Sequence, residues 1–262
     1  MNTRSGVFAR TAAACALACV VVPTPAAECT AQSGATLVPL VELYTSEGCD
    51  SCPPADNWLS RLTRADETRA VAIAFHVDYW DRLGWSDRFA SAKYTARQYQ
   101  QMQRQQSSFV YTPQVLVQGR DFGQWRSGGE PSAAIAAINA RPPRAVIELV
   151  AAEQGTDAVV DVHVSVPDVR DRGRASVAVA LVQSKLSSDV KAGENAGKQL
   201  HHDHVVRQWR DGLGVDASGE LRQRLQFPLP HDAGPVEIVA FAEDSKNGDV
   251  LQALALPLCG RP

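Results

Sequence analysis

Val41-Glu-Leu-Tyr-Thr-Ser-Glu-Gly-Cys49-Asp-Ser-Cys52-Pro-Pro-Ala-Asp56 begins apolar and β-branched, then runs into two cysteines followed by two prolines. Residues 37–46 carry one internal charge, Glu42, and the run ends near Gly48, which predicts a buried strand meeting a turn. Pro53 and Pro54 suit the first turn of a helix, where no backbone N–H is needed, and Trp58, Leu59 and Leu62 lay an apolar stripe along it. The cysteines therefore fall at a helix N-terminus. Free N–H groups and the positive end of the dipole stabilise a thiolate there, and two thiols at this spacing close into a small disulfide ring. Dithiol redox chemistry is the expectation. Zinc would need two more ligands at close spacing, and no second C-x-x-C or C-x-x-H exists; an inert buried pair is the other alternative.

The chain has 262 residues, 45% of them hydrophobic and 21% charged, enough for one or two cores, with two domains the better expectation. Residues 1–27 have the form of a secretory leader: Arg4 and Arg10, an apolar run over 12–22, and a small-residue exit at 23–27. That run is too short for a membrane span, which takes about 20 apolar residues. Its removal takes the formal charge from -3 to -5. A mildly acidic chain without a basic patch interleaved with aromatics argues against nucleic acid as a partner. Cys29, Cys49, Cys52 and Cys259 remain in a periplasmic or otherwise secreted, oxidising setting. If Cys49 pairs with Cys52, then Cys29 and Cys259 are expected to tie the two ends together.

After the helix, 70–79 is a second apolar run, so strand, helix, strand predicts a parallel βαβ unit. Residues 80–85 form an aromatic loop. The span 86–107 is free of Pro and Gly and rich in Gln, and reads as a helix with a solvated glutamine face. Residues 110–119 are a strand entered through Pro113, 120–129 a turn-rich excursion, 131–140 a short helix and 141–144 a linker. Beyond it the period changes to two over 145–150, 159–166, 175–182, 221–227, 236–241 and 250–258, with a hairpin signal at Asn247-Gly248. The expected fold is α/β over 35–140, followed by an antiparallel β-sandwich of about seven strands over 145–259.

Cys49-Asp-Ser-Cys52 between strand and helix, Thr112-Pro113 opening a later strand, and the order of elements between them resemble the thioredoxin superfamily. The resemblance implies Cys49 as attacking thiol, Cys52 as resolving thiol, Pro113 as a cis-proline facing the disulfide, and Thr112 presenting backbone to an extended substrate. More closely, Gly48-Cys-x-x-Cys-Pro-Pro-Ala-Asp56, Phe75-His-Val-Asp-Tyr-Trp-Asp81, Leu83-Gly-Trp85, Tyr111-Thr-Pro-Gln114, Glu194-Asn-Ala-Gly197 and His202-Asp-His204 resemble domain-of-unknown-function family 1223, a secreted thioredoxin-like family. It implies thiol–disulfide exchange with a protein or small-molecule partner and without a bound cofactor. A soft-metal carrier using the same two sulfurs, or a recognition protein with a static disulfide, is the alternative.

Several side chains are candidates around that centre. Asp50 places a carboxylate beside the nascent thiolate and should raise the Cys49 pKa, favouring a less oxidising disulfide. Glu42 is read either as a proton acceptor for Cys52 beneath the disulfide or as a charge at a strand edge. His76 and Asp78 alternate on one strand face, as site residues or as a satisfied structural pair. Trp80 and Trp85 form either an apolar rim for a substrate or a core cluster. His201, His202 and His204 are the one metal-like cluster, but neighbouring residues point apart on a strand, and the expectation is a surface loop with no metal.

Overall fold

The fold is that of a computed structural model, which describes Met1 and residues 27–63, 69–127 and 131–259. The expected leader lies almost wholly outside the described residues. The fold is mixed α/β and rich in strand. Strands β1 (Cys29–Gln32), β2 (Leu40–Thr45) and β3 (Val71–His76) flank helix α1 (Pro53–Leu62), and helix α2 (Ala92–Arg104) follows. Next come β4 (Gln114–Val117), β5 (Arg120–Asp121) and α3 (Ser132–Asn139). The second half holds β6 (Val146–Gln154), β7 (Asp157–Ser165), β8 (Ala175–Gln183), β9 (Leu186–Asp189), β10 (Gln199–His202) and β11 (Val205–Gly214). It closes with β12 (Glu220–Pro228), β13 (Val236–Asp244) and β14 (Val250–Pro257).

The two halves share a sheet. Its order is β14-β13-β8-β11-β3-β2-β4-β5, with β2 and β3 parallel and β4 antiparallel to β2. The join is β11 lying parallel to β3, where Val205 faces Ala74 and the Ala74 N–H donates to the His204 carbonyl at 2.7 Å. A second sheet, β1-β6-β7-β12, lies over the β8, β13 and β14 end, and one core unites Ile147, Leu149, Val162 and Val164 with Val177, Leu181 and Ile238. Residues before and after the whole first half thus sit in the same layer. Cys29 and Cys259, 230 positions apart, are disulfide-bonded there. Because the bridge closes so long a loop, Cys29→Ser together with Cys259→Ser is expected to lower stability by roughly 2–5 kcal/mol, read as a drop in the denaturant midpoint.

Alternation along β2 sorts its side chains between two helices. Val41 and Leu43 pack with Trp58, Leu59 and Leu62 of α1, whereas Leu40 and Tyr44 join Phe75, Tyr94 and Trp209 on the α2 side. The glutamines of α2 depart from expectation. Gln98 and Gln101 are buried, because Gln98 donates to the Tyr111 carbonyl and to Gln114 while accepting from the Tyr79 hydroxyl, and Gln101 reaches Glu42. Buried amides are tolerated where such partners exist. The turn between β4 and β5 touches the turn between β13 and β14 so closely that a Cβ on Gly119, whose φ is +73°, would stand 2.3 Å from the Gly248 carbonyl oxygen. Among the described residues, no helix is long and apolar enough to cross a membrane.

Candidate functional site

Cys49 and Cys52 are disulfide-bonded, and Cys52 is the residue from which α1 starts. The Cys52 carbonyl accepts from the N–H groups of Ala55 and Asp56, so Cys52 caps the N-terminus of a helix that opens with Pro53 and Pro54, and Cys49 lies in the turn just before it. Asp50 and Ser51 between them are exposed, but both cysteines are 0% exposed. Ser51 Oγ stands 3.4 Å from Cys49 Sγ.

Asp56 follows Cys52 by four residues, and its N–H donates to the Cys52 carbonyl. Residues four apart share a helix face, so Asp56 stands one turn below Cys52 and on the same side. Its carboxyl is buried and accepts from the Thr45 hydroxyl at 3.2 Å. Burial, aggravated by the neighbouring Asp87 and Glu47 carboxylates, pushes its pKa up to about 7 against the pull of His202 and Thr45. Glu42 is elsewhere. Strand alternation puts it on the α2 face of β2, opposite α1, where its oxygens are taken by Arg97 at 3.2 and 3.0 Å, Tyr44 at 2.6 Å and Gln101 at 3.4 Å. It does not lie beneath the disulfide.

Thr112–Pro113 is a cis peptide. Trp80 links it to the cysteine turn: its indole N–H donates to Thr112 Oγ1 at 2.7 Å, and a Cβ on Gly48 would lie 3.2 Å from Trp80 Cβ. Trp85 donates its indole N–H to Glu47 Oε2 at 2.7 Å. Both tryptophans are therefore half-buried struts of the site.

Behind the disulfide, Glu47 organises a second group of polar side chains. Its N–H donates to Asp87 Oδ2 at 2.9 Å, and that oxygen is 2.6 Å from His76 Nδ1. Burial raises the pKa of both carboxylates, but His76 wins at Asp87 and the facing His202 with Ser188 and Trp85 wins at Glu47, so both lie below their usual values. Asp78 binds Thr95 instead, 2.6 Å away, and does not pair with His76. His202 corrects the surface-loop reading of 201–204. It lies on β10, is buried, stacks edge-on against His76 with centroids 4.9 Å apart, and faces Glu47 Oε1 at 3.4 Å. Alternation did separate the histidines: His201 is exposed, and His204 bridges Glu237 at 3.0 Å and Thr63 at 2.9 Å. Among the described residues no three His, Cys, Asp or Glu side chains converge as a metal site.

The second half reaches the cysteines directly. Asn195 Nδ2 donates to the carbonyls of Glu47 and Cys49, both at 2.9 Å, and the Asp50 N–H donates to Glu194 Oε2 at 3.1 Å. Asp56 and Asn195 both stand in motifs visible in the sequence, yet their roles come from the fold. The four-residue spacing from Cys52 was a usable signal for Asp56; nothing local pointed Asn195 at a site 146 positions earlier.

Residues 40–242 match the model of a family described as "Protein of unknown function (DUF1223)". Among solved structures, an X-ray structure of a protein from Agrobacterium tumefaciens is 26% identical, with a TM-score of 0.57 over 86% of this chain and 96% of that one. HBP35 of Porphyromonas gingivalis is 16% identical, with a TM-score of 0.64 over 87% of this chain and 77% of that one, a likeness of fold alone. No curated protein matches.

Proposed function

This chain belongs to the DUF1223 family, and we propose that it is an exported thiol–disulfide oxidoreductase, built as a thioredoxin-like unit joined through its sheet to a β-sandwich. The observation that carries this reading is the Cys49–Cys52 disulfide at the N-terminus of α1, with the buried Asp56 carboxyl four residues after Cys52. The cis Thr112–Pro113 bond, tied to the cysteine turn through Trp80, supports it. Two disulfides in one chain and the leader-like pattern at 1–27 support an oxidising compartment.

A substrate thiolate attacks Cys49 Sγ, the Cys49–Cys52 bond breaks, and Cys52 leaves as a thiolate. Asp56, a carboxylic acid below about pH 7, supplies the proton that Cys52 takes up. A second substrate thiolate then attacks the substrate sulfur of the mixed disulfide and releases Cys49. The substrate dithiol loses two electrons and the protein disulfide gains them; the reverse direction uses Asp56 as base. Asp50 borders the emerging Cys49 thiolate, and its charge favours the less oxidising poise.

Asp56 also makes stability depend on pH. Its folded pKa of about 7 lies above the usual carboxyl value of 3.8, so its contribution is intact below about pH 4 and is lost as the pH rises through 7. Asp56→Asn is expected to leave stability near pH 4 almost unchanged and to raise it at pH 8 by up to roughly 4 kcal/mol. Urea midpoints at the two pH values check this, and a gain at pH 4 as large as that at pH 8 counts against a protonated Asp56. The functional reading is tested by insulin reduction with wild type and Cys49→Ser; equal rates overturn it.

A further inference from the structure

From β9 and β10 we infer that residues 186–202 form a hinged cover that must lift before either sulfur of the Cys49–Cys52 disulfide is attacked. It concerns the same site and takes its purpose from the exchange reading, but its existence is testable without turnover.

Three observations converge. First, neither cysteine has any exposed surface, although a thiolate or phosphine must reach a sulfur along the S–S axis. Second, β9 and β10 pair only with each other: Gln199 to His202 face Asp189 to Leu186, and this two-stranded ladder joins neither large sheet. A hairpin without ladder bonds to its surroundings can move as one unit, and such units open at lower free energy than core strands. Third, both roots of the hairpin hold non-glycine residues in the left-handed region, Lys185 at φ +58° and His204 at φ +59°. Such residues are uncommon, and here they stand directly before β9 and directly before β11.

The roots are anchored while the tip is latched by side chains. The Lys185 N–H donates to Asp203 Oδ1 and the His204 N–H to Ser184 Oγ, each at 2.9 Å, and the His204 ring is held by Thr63 and Glu237. At the tip, Lys198 Nζ donates to Asn195 Oδ1 at 2.8 Å, which turns the amide NH2 toward the carbonyls of Glu47 and Cys49. Asn195 is itself 0% exposed, and Glu194 adds the bond from the Asp50 N–H. Apolar packing is present as well, with Leu186 against Phe89 and Val205, Val190 buried and Gly193 close to Trp85, and Arg88 donates to Ser188 Oγ and the Ser187 carbonyl; the contacts of this segment to the cysteine turn itself are the polar bonds of Asn195 and Glu194. Asn195 is thus a positioning residue whose release frees the two carbonyls that hold the cysteine turn.

The test follows reduction by tris(2-carboxyethyl)phosphine, which breaks the S–S bond and becomes the phosphine oxide while two thiols form. Alkylation and mass mapping separate the two disulfides. Asn195→Ala is expected to speed reduction of Cys49–Cys52 roughly tenfold, the effect of two lost hydrogen bonds, and to leave Cys29–Cys259 unchanged. No acceleration at Cys49–Cys52, or equal acceleration at both bonds, overturns the cover. Hydrogen exchange on the unmutated protein gives a reading that needs no variant. The ladder amides of 186–202 should exchange together and at least tenfold faster than those of β8, and protection equal to β8 also overturns it. If the cover lifts but insulin is not reduced, the flap stands and the exchange reading falls.

Discussion

Cys49→Ser is expected to lower catalysed insulin reduction by on the order of a thousandfold, because the nucleophile that forms the mixed disulfide is gone. Cys52→Ala should be as inactive in turnover but leave a different trace. Cys49 still attacks a substrate disulfide, and without Cys52 the mixed disulfide has no internal thiol to resolve it. Non-reducing gels should therefore show Cys52→Ala bound covalently to partners and Cys49→Ser bound to none. The asymmetry distinguishes exchange from its rivals. A metal carrier would lose metal equally in both variants, and a static disulfide would trap nothing in either. The identity of the adducts then names the substrate.

The second large effect concerns stability and has its centre on the other face of β2. Arg97, 1% exposed, holds Glu42 and Glu243 together, with Arg104 also on Glu243 at 2.8 Å. Burial raises the pKa of Glu243, but the two guanidiniums overcome it and hold the carboxyl below its usual value; the same carboxylates lift Arg97 well above its own. Arg97→Met removes the shared cation and leaves two buried carboxylates facing each other. Breaking a buried pair in this way costs about 3–5 kcal/mol, which corresponds to roughly 10 °C in Tm for a chain of this size. Glu243 has a depressed folded pKa, so its contribution is present above the unfolded carboxylate range and is lost as pH falls through the folded value. The gap between wild type and Arg97→Met should accordingly narrow on acidification toward pH 4, measured by thermal unfolding across pH. Equal gaps at pH 4 and pH 7 would mean that Arg97 acts by packing on Trp209 and Phe241, whose rings lie 5.6 and 5.3 Å from it, and not by charge.

Much of this architecture is legible from residue order. The run into Cys49, the prolines after Cys52, and the apolar stripe of Trp58, Leu59 and Leu62 place β2 and α1 correctly, because each signal is local and physical. The six period-two runs of the second half all become strands for the same reason. What escaped was set by distant partners. β11 carries Arg207, Gln208, Arg210 and Asp211 and is broken by irregular register after Val206 and after Arg210, so it has no clean alternation, yet it is the strand that joins the halves. β9 and β10 bury only Leu186, Ser188, Leu200 and His202, too few apolar residues to announce a hairpin. Glu42 and the α2 glutamines were misplaced for a related reason. A polar side chain inside a fold is decided by whether a partner arrives from elsewhere, and Arg97, Gln114 and Tyr111 come from separate elements.

The join between β11 and β3 bears on how the chain is made. During synthesis β3 emerges more than a hundred residues before β11, and until Val205 arrives its open edge has no cover. All six residues of β3 are buried in the finished molecule, so the waiting edge is apolar on both faces, the kind of template that recruits other chains. A product stopped at 144 would keep that edge permanently. The boundary that looks like a linker is therefore a poor place to cut, because the first half keeps an uncovered strand edge until the rest of the chain closes the sheet.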